Sequence, residues 1–580
     1  MTTIQSDVAI VGGGPAGSCL GSLLRKYHPR LSVSIFERET FPREHVGESL
    51  LPIVSQVLDE MGCWDAVERA NFPIKIGATY RWGTTPDLWD FEFLPCNEFR
   101  DEARPATYTG QRRATAFQVD RSVFDKILLD NARDRGCDVH EAAKVSSVHQ
   151  VDGCIERLDL ADGRNVVAKH YVDASGGTGI LRRAMGIEVE EPTILKNIAL
   201  WSYWDNAEWG VKIGVGGTRI VILSLGYGWI WFIPIGPTRT SVGFVCPAEY
   251  YKKSGKTTQE LYESALAEEQ TLLPSLMRNA TRTSEVQSTR DWSFVAKNLA
   301  GANYFLVGEA AGFADPILSA GITLAMTGAR DLAATIGELE RGKHEADWLR
   351  TSYSETQRNR IYQHIQFADF WYSANGQFSD LRENTRAIAL SAGLELDADS
   401  AFRWLGTGGF TNDAEALPGM AEFSVSLIKQ IAGRLTDTPV AWSISGLNVF
   451  DLDLDGVETT YRPRYGKGKV ERIATFRREG KVWPGEGLYG IVLDTLRKER
   501  RIDRIIPEIQ KRADQAGTWT REELVQFSLE YLEVLLQEGW VKGSYNPKVP
   551  PLMLYTNPEN DNVHTNHDMT RQVPTIATAS

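Results

Sequence analysis

Asp7-Val-Ala-Ile-Val-Gly12-Gly13-Gly14-Pro15-Ala16-Gly17-Ser18 is the stretch that decides the fold. A β-branched run, Val8 to Val11, enters a cluster of glycines, and a helical run, Ser18 to Leu24, leaves it. The spacing Gly12-x-Gly14-x-x-Gly17 fits a dinucleotide-binding turn. Gly12 permits the tight turn, Gly14 lets a pyrophosphate approach the backbone, and Gly17 lets helix and strand pack closely. Gly13 and Ala16 complete the phosphate-facing segment, and the helix N-terminus adds unpaired N–H groups and positive dipole. A second strand, Val33-Ser-Ile-Phe36, ends at Glu37, where an acid is placed to bond a ribose hydroxyl, with Arg38 beside it.

The chain of 580 residues has room for two to four domains. Its 42% hydrophobic and 24% charged content is that of a globular protein, and the net charge of −13 argues against a nucleic-acid partner. No apolar run approaches a membrane span, and the first strand begins too near Met1 to leave room for a signal peptide. Six scattered cysteines without a CxxC pair argue against a zinc site or a disulfide frame and fit a cytoplasmic location.

Along the chain, Lys75-Ile-Gly-Ala-Thr-Tyr80 alternates like a strand, Asp173-Ala-Ser-Gly176 follows a strand, and 198–246 reads as short, aromatic-rich antiparallel strands. The expected architecture is α/β: a Rossmann-like nucleotide domain carrying an antiparallel substrate or lid sheet, followed by helical and small C-terminal regions. Residues 1–345 form the core, with the lid sheet inserted at about 75–115 and 196–300. Residues 346–440 are expected to be helical, 441–548 to form a winged-helix-like module, and 549–580 to be a disordered tail.

Three separated motifs, the Gly12 to Glu37 fingerprint, Asp173-Ala-Ser-Gly176 and Gly308-Glu309-Ala-Ala, are arranged as in the single-component flavoprotein monooxygenases, which implies FAD. Within that superfamily the chain resembles the flavin-dependent halogenases, nearest the chloramphenicol-type and phenol branch. Trp229-Ile-Trp231-Phe-Ile233-Pro234 matches their WxWxIP signature, and Phe313-Ala-Asp-Pro316-Ile-Leu-Ser319-Ala-Gly321 matches FxxPxxSxG. Phe41-Pro-Arg43 followed by Gly47-Glu48-Ser49 is also typical.

The resemblance implies a reaction of FADH2 and O2 that passes through a flavin hydroperoxide, oxidises chloride or bromide to hypohalous acid, and delivers that acid inside the protein. It assigns Gly12, Gly13, Gly14, Ala16, Gly17, Glu37, Arg38, Arg43, Glu48, Ser49, Arg121, Val145, Asp173, Gly308, Glu309 and Ile322 to FAD. It assigns Ser319, Ala320 and Gly321 to the halide, and Trp229, Trp231 and Pro234 to shielding the flavin. Lys75 is the catalytic amine that positions the oxidant, and Asp315 is a candidate for a covalent flavin link, against a plain loop role. No metal is implied. Leu318 stands where the tryptophan halogenases carry a glutamate, which favours a phenolic, tyrosine-like or pyrrolic substrate, free or bound to a carrier or peptide.

A separate flavin reductase is the implied partner, since no second nucleotide fingerprint is present. Two other readings stay open from the sequence: an FAD-dependent aromatic hydroxylase, and a flavin-binding protein without turnover. The aromatics of Tyr362 to Tyr372, at helical spacing, read as core packing or as a substrate lining.

Overall fold

The computed structural model describes residues 2–83, 85–376, 429–430, 441–479, 481–516, 520–552 and 563–566. The chain divides into two compact units: Met1–Gly393 with Tyr465–Lys469 and His564–Ser580, and Leu394–Arg464 with Val470–Val563.

Two large sheets organise the first unit, and the short strands Val189–Glu190, Phe294–Ala296 and Gly312–Phe313 add a smaller one. In one of the large sheets, β1 (Thr3–Val11) runs parallel to β2 (Val33–Phe36), with the helix α1 (Pro15–Tyr27) as the crossover. Val8–Val11 and all of β2 are buried. Runs buried on both faces are what a parallel, helix-covered sheet requires. Asn165–Asp173 pairs with the other edge of β1, and Tyr304–Leu306 joins it, both in parallel register. The strands Val145–Val151 and Cys154–Leu160 form an antiparallel hairpin that turns at Asp152-Gly153, and Cys154–Leu160 pairs antiparallel with Asn165–Asp173 across Asp162-Gly163.

Among the described residues the second sheet has ten strands and includes β3 (Ile74–Arg81), β4 (Leu88–Glu92) and β5 (Ala116–Phe117). Lys196–Asp205, Arg239–Pro247, Gly228–Pro234 and Gly217–Leu225 follow one another antiparallel. The purely antiparallel sheet expected from the sequence needs one correction: β3 and Gly217–Leu225 run parallel. The two strands lie far apart in the chain, so no hairpin dictates their direction. One face packs Leu223, Ile230, Phe232 and Phe244 on the helix Thr258–Glu268. The other face contributes Ile220, Ile222, Trp229 and Trp231 to a cavity.

The helix Ala320–Arg341 is buried from Ala320 to Glu338 apart from Gly321. The helix Ala346–Ser373, read from sequence as the start of a separate region, belongs to the first unit, because Tyr353, Ile361 and Ile365 are part of its core. The rest of the expected helical stretch, 377–428 and 431–440, lies outside the described residues.

The second unit holds the helices Gly487–Leu496, Ile502–Ala516 and Arg521–Gln537, an antiparallel pair Val449–Leu452 with Val541–Ser544, and the ribbon of Lys469–Arg478 with Lys481–Pro484. Trp483, Leu493, Ile505, Leu532 and Trp540 are among its core residues. The middle helix carries Pro507 and was not evident from sequence. Within the tail expected to be disordered, Val563–Asn566 is a strand. Among the described residues no helix is long and apolar enough to cross a membrane.

Candidate active site

Parallel pairing of Val11 with Phe36 brings the ends of β1 and β2 level, so the glycine turn and Glu37 emerge together. Gly13 N donates to Glu37 Oε2 at 2.7 Å and Glu39 N to Oε1 at 2.9 Å. Glu37 therefore locks the turn, and its remaining lone pairs stay available where it lines the cavity. Gly12 has φ +110°, and a Cβ there would lie 2.3 Å from Ala174 O. A Cβ on Gly17 would lie 1.9 Å from Gly12 O. At Gly14 it would meet only Arg43 Nη2, at 3.3 Å. Gly14 is also the N-cap of α1 and has no side-chain cap, so the first N–H groups of that helix are open to the cavity.

The cavity measures about 1030 Å³. Its wall includes Gly12, Gly14, Ala16, Glu37, Arg38, Arg43, Glu48, Ser49, Arg121 and Val145 from the residues assigned to FAD, with Gly308, Glu309 and Ile322. A dinucleotide fits this donor set: open helix N–H groups and arginines for the phosphates, an acid for the ribose, and an apolar wall for a ring. Gly13, Gly17 and Asp173 stand behind the wall. Asp173 is wholly buried and accepts from Ser175 N and Oγ, at 3.1 and 2.6 Å, and from Arg182 N at 2.9 Å. It shapes the turn whose residues Ala174 to Gly177 line the cavity.

Arg121 is buried and grips Asp125 through two hydrogen bonds, 2.7 and 2.8 Å. It also donates to Val46 O at 2.8 Å and Gly47 O at 3.2 Å, fixing the loop that presents Glu48 and Ser49. Burial pushes the Glu48 carboxyl up to about 7, and Tyr203 OH donates to it at 3.2 Å. Burial likewise raises Glu309. His45 is held down at about 4, chiefly by the Arg121 guanidinium. Sequence reasoning gave no role to Tyr203.

At the other end, Ser319 takes φ +57° as N-cap of the helix Ala320–Arg341, makes no side-chain cap, and is followed by a first turn without an acidic residue. Ser319, Ala320 and Gly321 all line the cavity. The positive end of a 22-residue helix is thus left uncompensated at its wall. Trp229, Trp231 and Ile233 line the cavity from alternate positions of one strand, and Pro234, one residue further, does not. Trp231 Nε1 donates to Ser241 Oγ at 3.1 Å, and its ring lies over Gly243, where a Cβ would come within 2.1 Å of it. Gly243 is therefore part of the tryptophan's seat, signalled in sequence only by a glycine inside a strand.

Asp315 stands outside the cavity wall. It accepts from Ile317 N at 2.9 Å, Asn197 Nδ2 at 2.9 Å and Tyr372 OH at 3.1 Å. Lys75 is 2% exposed on β3, with Nζ donating to Leu50 O at 3.0 Å and lying 5.3 Å from the Phe93 ring centroid. It does not line the cavity, whereas Ser49, next to Leu50, does. The aromatics of the helix Ala346–Ser373 resolve as packing: Phe367, Phe370 and Trp371 are 1% exposed.

A family model described as "FAD binding domain" matches residues 5–368. The 1H-pyrrole-2-carbonyl-[peptidyl-carrier protein] chlorinase of Pseudomonas fluorescens is 32% identical over 398 residues, covering 67% of this chain and 88% of that protein. This chain belongs to the flavin-dependent halogenases. The halogenase is similar along nearly its whole length to the crystal structure of CmlS, a flavin-dependent halogenase, with TM-score 0.70, 26% identity and coverage of 96% and 98% of the two chains. It is also similar to the flavin-dependent brominase Bmp2, with TM-score 0.56, 26% identity and coverage of 67% and 94%. The halogenase thus uses FAD, O2 and halide, and the hydroxylase and non-catalytic readings fall away.

Proposed function

We propose that this halogenase installs chlorine or bromine on an electron-rich aromatic, phenolic and tyrosine-like or pyrrolic, and that Lys75 positions the oxidised halogen. The observation that carries the reading is the uncapped helix start at Ser319 to Gly321, open to the same cavity as Trp229 and Trp231. Reduced FAD, O2, halide and a proton supply hypohalous acid, FAD and water. The chain's own part begins with the N–H groups of the first turn after Ser319, which hold the halide. Trp229, Trp231 and Ile233 keep water and the organic substrate away from the ring. Gly14, Ala16, Arg43 and Glu37 hold the phosphates and ribose, and Val145 meets the adenine. Lys75, buried on β3, offers N–H donors to a neutral hypohalous acid.

Leu318 leaves no base beside Ser319, so the substrate must bring its own electron density, as a phenolate or pyrrole does. Similarity to a chlorinase named for a carrier-bound pyrrole supports a carrier-bound substrate. The module 441–548, read as winged-helix-like, is then a partner contact. A separate flavin reductase supplies the reduced cofactor. The test is mass spectrometry of products from free and carrier-loaded tyrosine and pyrrole-2-carboxylate, with FAD, a reductase and each halide. Halogenated product that disappears in Lys75→Ala supports the reading, and product that survives removes Lys75 from it.

A further inference from the structure

Two buried polar side chains beside the cavity have no hydrogen-bond partner among the described residues, and they face each other. Ser49 and Gln118 form an isolated antiparallel bridge. Its hydrogen bonds fall on either side: Leu50 N donates to Phe117 O at 3.0 Å and Val119 N to Glu48 O at 2.7 Å. Ser49 and Gln118 are therefore a non-hydrogen-bonded pair, the kind whose side chains stand closest on one face. Gln118 is 0% exposed and Ser49 7%. Gln118 Oε1, Gln118 Nε2 and Ser49 Oγ have no partner among the described residues. Buried polar atoms are paired almost everywhere in folded proteins, so three orphans at one place call for a polar guest.

The surroundings narrow its identity. β5 sets Ala116 opposite Lys75, and with a period of two Gln118 shares that face. Lys75 Nζ donates to Leu50 O, one residue from Ser49. Ser49 lines the FAD cavity, while Gln118 and Lys75 stand behind it. The orphaned pair thus links the cavity wall to the amine.

We propose that Gln118, with Ser49, holds the hypohalous acid on its way from the FAD cavity to Lys75. This rests on the reading of Lys75 as the receiving amine. A primary amide carries both a donor and an acceptor. It takes the O–H of a neutral hypohalous acid on Oε1 and donates to its oxygen from Nε2, with Ser49 Oγ as a further partner. A carboxylate would supply acceptors alone and an ammonium donors alone. Water has the same complement and fills the place between turnovers. Gln118 is a positioning residue, since the bond-making steps are elsewhere.

The test compares FAD-loaded wild type, Gln118→Met and Lys75→Met, given reduced FAD, O2 and bromide, with catalase to remove peroxide. Monochlorodimedone reports the hypobromous acid that reaches solvent. Gln118→Met is expected to keep FAD retention and oxygen uptake within twofold of wild type, while trapped oxidant per O2 consumed rises at least threefold. A purely structural role would lower retention or uptake and leave that ratio alone. An unchanged ratio in Gln118→Met beside a raised ratio in Lys75→Met overturns the proposal, the pair then holding a resting water only. An unchanged ratio in Lys75→Met overturns the amine reading itself. If Gln118→Met fails to fold, Gln118→Asn, which withdraws the amide by one methylene, is read in the same way.

Discussion

Trp229 Nε1 donates to the Tyr372 hydroxyl at 2.7 Å, and that hydroxyl donates in turn to Asp315 Oδ1 at 3.1 Å. One phenol on the helix Ala346–Ser373 thereby ties a cavity-lining tryptophan to the loop that leads into the Ser319 turn. Removing the hydroxyl in Tyr372→Phe strands a buried indole N–H and loosens a carboxylate, at about 1–3 kcal/mol for each unsatisfied group. The expected outcome is a lower melting temperature for the FAD-loaded protein and a several-fold rise in oxygen consumed per halogenated product. Calorimetry and an oxygen electrode check the two parts separately.

The glycine turn separates two kinds of substitution. Gly17→Ala places a Cβ 1.9 Å from Gly12 O, where only backbone could give way, so the variant should lose FAD or fail to fold. Gly14→Ala meets only the movable end of Arg43, so it should fold normally and bind FAD more weakly, because the added methyl occupies the approach of the phosphates. Flavin absorbance after desalting distinguishes the two.

The halide reading of the Ser319 turn makes a charge prediction. Gly321 has open space, with Phe313 Cε2 at 4.0 Å the nearest contact for a Cβ. Gly321→Asp therefore introduces a carboxylate in the first turn with little steric penalty, and a carboxylate there competes with a bound anion for the helix end. The halide concentration for half-maximal rate should rise at least tenfold, with FAD affinity changed far less. Rates measured across a chloride and a bromide series decide it.

Glu48 and pH are linked with a definite sign. The ordinary carboxyl value is 4.5 and burial lifts Glu48 to about 7, so between those values the folded FAD-free chain holds a proton that the unfolded chain has released. The contribution of the protonated form is complete below 4.5 and is lost as pH rises through 7, a range worth about 3 kcal/mol. Asp369, also raised to about 7 by burial, tilts the curve in the same direction. Glu48→Gln should flatten the fall in stability between pH 5 and 7 without abolishing it, as read by denaturant titration of the FAD-free protein across that range.

Much of this was legible from local sequence. The turn Gly12 to Gly17 announces itself because backbone geometry demands those glycines, and the two halogenase signatures each occupy one short, continuous stretch of chain. What escaped was long-range. Tyr372 lies 143 positions from the tryptophan it anchors. Gln118 looks ordinary until a bridge sets it against Ser49. The parallel step between β3 and Gly217–Leu225 has no turn to betray it. The helix Ile502–Ala516 carries Pro507 inside it, at a position whose N–H would otherwise pair four residues back, and a proline there works against a helical pattern in the sequence.

The helix that opens at Ala320 spans 22 residues, about 33 Å of rigid rod, and nearly all of it is embedded in protein. A rod gripped along its length moves along its axis or not at all. Repacking near Ile336 would therefore be felt at Ser319, so searches for altered chlorine-to-bromine preference belong as much at the far end of that rod as among the groups that touch the ion.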